Sequence, residues 1–131
     1  MKTKLTLLIA AVAVVATLAA FTMNNKTEHV RHVVVFKYKK DATPAQIKEV
    51  TDAFRALKNK IPGIVSFEQG VNISPEKLDQ GFSHVYLLTF ENAAARDKYL
   101  PHPDHDKFGE LLTRVNILDG KPFVVDFQIS E

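Results

Sequence analysis

From residue 29 onward the chain switches between two hydrophobic periods, one of two residues and one of about three and a half. The run His29–Tyr38, His-Val-Arg-His-Val-Val-Val-Phe-Lys-Tyr, is β-branched and aromatic. A period of two places His32, Val34, Phe36 and Tyr38 on one face of a strand and Arg31, Val33, Val35 and Lys37 on the other. Thr43-Pro44-Ala45-Gln46 then reads as a capping box with proline at the first helical position. Ile47, Val50, Phe54, Leu57 and Ile61 follow at helical spacing until Pro62-Gly63 ends the stripe. Ile64 to Ile73 predicts a second strand, with Gly70 as a bulge or kink. Phe82 to Glu91 predicts a third, with Phe82, His84, Tyr86, Leu88 and Phe90 alternating against Ser83, Val85, Leu87 and Thr89. Asn92 is the N-cap expected for a helix from Ala93 to about Leu100, and the prolines at 101 and 103 break it. A further helix runs from about Pro103 to Val115, with Phe108, Leu111, Leu112 and Val115 as its stripe. Lys121 to Ser130 closes the chain as a strand, with Phe123, Val125, Phe127 and Ile129 opposite Val124, Asp126 and Gln128.

This order, β-α-β-β-α-β, is the ferredoxin-like α+β pattern: an antiparallel sheet with helices on one face. Such a sheet normally keeps its other face polar. Here both faces are apolar over most strands. About 100 Å² of buried apolar surface is worth roughly 2.5 kcal/mol, so the uncovered face calls for a partner. The expectation is a homodimer that closes an α/β barrel between two sheets.

Composition narrows the rest. The 131 residues give room for one domain, and there is no cysteine, which excludes disulfides, thiolate metal sites and cysteine nucleophiles. Lys2 and Lys4 precede an uncharged apolar run from Leu5 to Phe21, the pattern of a secretory signal peptide. An uncleaved N-terminal anchor is the competing reading. The expected organisation is therefore a signal over 1–23, a tether over 24–28 and the domain over 29–131, with the folded part exported to the periplasm or beyond. Membrane contact is expected only through the N-terminal segment. Of the 17 basic residues two lie in that segment, and it holds none of the 15 acidic ones, so the remainder carries 15 of each. That balance gives no reason to expect nucleic acid as a partner.

The chemistry concentrates in Tyr99-Leu-Pro-His-Pro-Asp-His-Asp-Lys-Phe108. Histidine both takes and gives a proton near neutrality, and the prolines stiffen the turn that holds His102 and His105. His105 falls on the first turn of a helix, whose positive end favours an uncharged, basic imidazole. In that position it reads as a general base, or else as a residue that bonds its own turn and steadies the corner. Tyr99 reads as packing at a helix end, or as a hydroxyl that orients a substrate carbonyl. His102 reads as a cap. His32 and His84 stand on strand faces otherwise filled with apolar residues, where a histidine is commonly a satisfied core residue. A metal site over His102, Asp104, His105 and Asp106 is the other reading of the turn, but spacing fixes no third ligand, so no metal is assigned. Asp126, placed mid-strand among apolar neighbours, reads as structural.

His-Val-Val-Val-Phe-Lys-Tyr-Lys at 32–39, Gly70-Val-Asn72, Gly81-Phe-Ser-His-Val85 and Tyr99-Leu-Pro-His-Pro-Asp-His105 resemble the stress-responsive α/β-barrel (Dabb) family over about residues 29–130. Tyr-x-x-His-Pro-x-His is the specific part. The resemblance implies a ferredoxin-like domain that dimerises into a barrel. Through a plant member that is a polyketide cyclase, it further implies His105 as base and Tyr99 as its assistant. His32 and His84 would line the same ligand cavity, expected inside the barrel. No metal, flavin or haem is implied as cofactor. The resulting expectation is a dimer binding a small organic molecule, with cyclase-, isomerase- or lyase-like acid–base chemistry. A non-catalytic stress-response or envelope dimer is the alternative.

Overall fold

The computed structural model describes residues 28–129, so the readings of a signal over 1–23 and of the tether up to residue 27 lie outside the described residues. The elements are β1 (Val30–Phe36), α1 (Pro44–Lys60), β2 (Ile64–Val71), β3 (His84–Phe90), α2 (Ala93–Tyr99), α3 (Pro103–Val115) and β4 (Phe123–Gln128). The strands form one antiparallel sheet in the order β2-β3-β1-β4. This is the expected ferredoxin-like α+β architecture, with the second helical connection split into α2 and α3.

Local chemistry accounts for the element boundaries. Thr43 Oγ1 accepts from the Gln46 backbone N–H at 3.3 Å, and Gln46 Oε1 accepts from the Thr43 N–H at 2.9 Å, which completes the capping box of α1. Asn92 Oδ1 caps α2 through the Ala95 N–H at 2.9 Å. The third strand is shorter than its alternation predicts. Phe82 belongs to a turn in which its N–H donates to the Asp79 carbonyl, after positive φ at Gln80 and Gly81. Gly70 is not the bulge: it pairs regularly with Val85, and the irregularity falls at Val65, between Ile64 and Ser66.

Register separates the two sheet faces. His32 lies between Leu88 on β3 and Asp126 on β4, and Val34 between Tyr86 and Val124. This face carries the buried residues Val30, Val34, Phe36, Tyr86, Leu88 and Phe90, covered by Val50, Phe54 and Leu57 of α1 and Phe108 of α3. Phe54 is central, with its ring 4.5 Å from Phe108, 5.2 Å from Tyr86 and 5.5 Å from Phe67. The opposite face bears Val33, Val35, Val85 and Leu87, half-buried, with Phe123, Val125 and Phe127 exposed on the edge strand β4. A hollow of about 450 Å³ opens there over Val35, Val85, Phe82 and Phe123, walled by the 72–80 loop.

Candidate functional site

The α2–α3 corner is built by the Tyr-Leu-Pro-His-Pro segment. The Tyr99 carbonyl accepts from the His102 N–H at 3.1 Å, and the His102 carbonyl accepts from the N–H groups of His105 and Asp106 at 2.9 and 3.0 Å. His102 is the N-cap of α3, its Nδ1 accepting from the Asp104 N–H at 3.2 Å. That is the role the sequence suggests for it. His105, one turn in, donates from Nδ1 to the Leu100 carbonyl at 2.9 Å. The corner thus fixes the imidazole from its own backbone.

Tyr99, the last residue of α2, is fully buried and meets three rings: His105 at 4.4 Å, Phe90 at 5.0 Å and His32 at 5.7 Å between centroids. Burial and the negative charge of Asp126 push its phenol well above the ordinary tyrosine value, so it stays protonated. His32 is 5% exposed, and its Nδ1 is 2.6 Å from Asp126 Oδ1. Arg96 of α2 holds Oδ2 of the same carboxylate. Burial lowers the His32 pKa. The hydrogen bond and charge of Asp126 pull the other way, while His105 and Arg96 add to the lowering. The ring is therefore neutral at pH 7. The Tyr99 ring touches both imidazoles, 5.7 Å from His32 and 4.4 Å from His105, which places both histidines in one site.

His84 is elsewhere. It shares the helix-covered face with His32 but pairs with Phe36, four strand positions from Leu88, the partner of His32. That is about 13 Å along the strand. Its ring packs edge-on to Tyr38 at 4.7 Å, and its Nδ1 shares a hydrogen bond with Ser83 Oγ at 2.9 Å. Burial lowers its pKa also. Beside it the hydroxyls of Tyr38, Tyr86 and Thr51 form a chain at 2.9 and 2.8 Å, and a cavity of about 60 Å³ is lined by Thr51, Gln69, His84 and Tyr86. Of the four residues singled out in the sequence, the structure joins His32, Tyr99 and His105 and sets His84 apart.

One expectation is corrected. His32 and His84 do not face a cavity between two sheets, because the register puts both on the face that α1, α2 and α3 cover. Asp126, read from the sequence as structural, is set directly opposite His32 by the pairing of β4 with β1. Arg96 was missed altogether. Its only sequence signal is its place three residues before Tyr99, on the same helix face. Among the described residues no group of three or more histidine and acidic side chains is arranged to hold a metal ion.

The profile of the Stress responsive A/B Barrel Domain matches residues 30–129, and the chain belongs to this family. It is 33% identical over 97 residues to the stress-response A/B barrel domain-containing protein HS1 of Arabidopsis thaliana, covering 71% of this chain and 89% of that one. To the olivetolic acid cyclase of Cannabis sativa it is 30% identical over 82 residues, covering 63% of this chain and 81% of that enzyme. Among solved structures, the hydroxynitrile lyase of Passiflora edulis superposes with a TM-score of 0.71 at 26% identity, over 80% of this chain and 96% of the lyase. A dimeric ferredoxin-like protein from Jannaschia superposes with a TM-score of 0.65, also at 26% identity, over 77% and 99%. The proteins this chain is similar to thus include ones named as a cyclase and a lyase, and its solved neighbours include dimers.

Proposed function

We propose that this chain binds a small organic molecule beside His105, Tyr99 and His32 and transforms it by acid–base chemistry with its own side chains, without metal, flavin or haem. The observation that carries this reading is the hydrogen bond from His105 to the Leu100 carbonyl. A carbonyl only accepts, so in the neutral imidazole Nδ1 holds the proton and Nε2 carries the lone pair that makes it the base. The protonated Tyr99 phenol beside it is a donor suited to a carbonyl or enolate oxygen. A base next to such a donor fits a carbonyl compound with an acidic α-proton, or a hydroxynitrile whose O–H proton passes to the base as C=O forms and the C–C bond breaks with cyanide as the leaving group. The names of the cyclase and lyase relatives favour the same class.

His105→Ala tests this reading, using a hydroxynitrile and a 1,3-diketone as probes. The wild type should shift its imidazole resonances with one of them and turn it over. His105→Ala should lose about 10²–10⁴-fold in rate with its melting temperature nearly unchanged. Full turnover in the variant would sink the proposal. The tight packing of Tyr99 and His32 favours a second reading, a non-catalytic stress-response or envelope dimer. There His105→Ala would cost stability or self-association instead.

The apolar open face and the dimeric neighbours support self-association through that face. Lys2, Lys4 and the apolar run behind them support export. N-terminal sequencing of protein recovered outside the cytoplasm should begin near residue 24, whereas an intact Met1 on a cytoplasmic protein would rule export out.

A further inference from the structure

Arg96 reaches from α2 to the edge strand β4. Its Nε donates to Asp97 Oδ1 at 2.8 Å, and a terminal nitrogen donates to Oδ2 of Asp126. The other oxygen of Asp126, Oδ1, lies 2.6 Å from Nδ1 of His32. One carboxylate therefore serves two N–H donors, one oxygen each. An ionised carboxylate accepts and never donates, so Nδ1 of His32 carries the hydrogen and Nε2 is the ring's acceptor.

We propose that Arg96 is a positioning residue. By occupying Oδ2 it holds Asp126 in the orientation that presents Oδ1 to His32, and so sets which nitrogen of His32 keeps a lone pair beside Tyr99. A partly exposed ion pair between Arg96 and Asp126 contributes little to stability by itself. Its consequence here lies one bond further on, because the carboxylate it steers is the hydrogen-bond partner of an imidazole that is 5% exposed. The inference rests on the acid–base reading of this site, yet its test does not depend on turnover.

The test is the tautomer of His32, read from long-range ¹H–¹⁵N spectra of the full chain. The wild type should show Nδ1 protonated and Nε2 bare. In Asp126→Asn the guanidinium should claim the amide oxygen, leaving the amide NH₂ to face His32. Nδ1 must then accept, and the ring should switch to the Nε2–H tautomer. Adding Arg96→Met frees the amide to turn its oxygen to His32, so the double variant should return to Nδ1–H. A single variant that keeps Nδ1–H, or a double variant that stays Nε2–H, overturns the proposal. Arg96→Met alone is the second measurement, independent of how Asp126→Asn folds. The His32 Nδ1–H should exchange with water about tenfold faster once its acceptor is free to rotate, and an unchanged rate overturns the proposal as well. The predicted tautomers without any ligand binding or turnover would leave Arg96 in its role and remove the catalytic reading. Turnover without them would do the reverse.

Discussion

His32 shows how a single side chain on an apolar face couples the site to the stability of the domain. Burial holds its pKa below the ordinary histidine value despite the Asp126 carboxylate. In the unfolded chain the ring returns to about 6.5. Between the folded value and 6.5 the unfolded chain holds more protons, so acidification favours unfolding. The contribution is complete above about pH 6.5 and is lost as pH falls through the folded value. His84, lowered by burial alone, acts in the same direction. Urea unfolding should therefore show lower stability at pH 5.5 than at 7.5, with a slope no steeper than about 1.4 kcal/mol per pH unit for each histidine. His32→Leu should flatten that slope. An unchanged slope in the variant would mean that other groups set the acid sensitivity.

At the scale of elements, what is local in sequence was legible and what depends on register was not. The caps at Thr43, Asn92 and His102 each follow from residues within three positions of one another. The same holds for the Tyr99–His105 corner, whose prolines and histidines are contiguous. Asp126 and Arg96 join the site only through the pairing of β4 with β1, about 30 residues away from α2 in sequence or more, and no spacing rule announces that. The seating of α2 depends on another distant contact. Gly63 has φ +89°, and a Cβ built there would lie 2.7 Å from the Cβ of Ala95. Gly63→Ala should thus cost roughly 1–3 kcal/mol in denaturant unfolding, from backbone strain and from the clash together. It should also perturb the ring contacts of Tyr99, because α2 has to move. In an Ala95→Gly background the clash disappears and the strain stays, so the cost of Gly63→Ala should be smaller there. Equal costs in both backgrounds would show that α2 is not held by this close approach.

For the whole molecule, alternation told that both sheet faces were apolar but not which one the helices would cover. That choice put the histidines under helices and left Phe123, Val125 and Phe127, each about half exposed, on the other side. Polar groups on this face follow its β2 side: Arg31 reaches Thr89 and lies 3.8 Å from Glu68, which pairs with Leu87 in mid-strand, and Ser66 donates to Thr89 Oγ1 at 2.9 Å. Beside them Leu87, Val33, Val35, Val125 and Phe127 form an apolar strip across β3, β1 and β4, with the 450 Å³ hollow next to it. Two such sheets face to face would bury the strip, and two-fold symmetry makes every side chain count twice. Replacing Phe127 by lysine should therefore remove roughly 1.5–3 kcal/mol from each side of the interface. That raises the dissociation constant by roughly 10²–10⁴-fold. Analytical ultracentrifugation should show a dimer for the wild type and a monomer for Phe127→Lys. Far-UV spectra should be alike, since Phe127 is half exposed in the single chain. Lys58→Glu, on the exposed side of α1, should leave the dimer intact. If Phe127→Lys stays dimeric, the chains associate through another surface. The apolar strip would then be open to a different occupant, since water is a poor solvent for three half-exposed large side chains in a row.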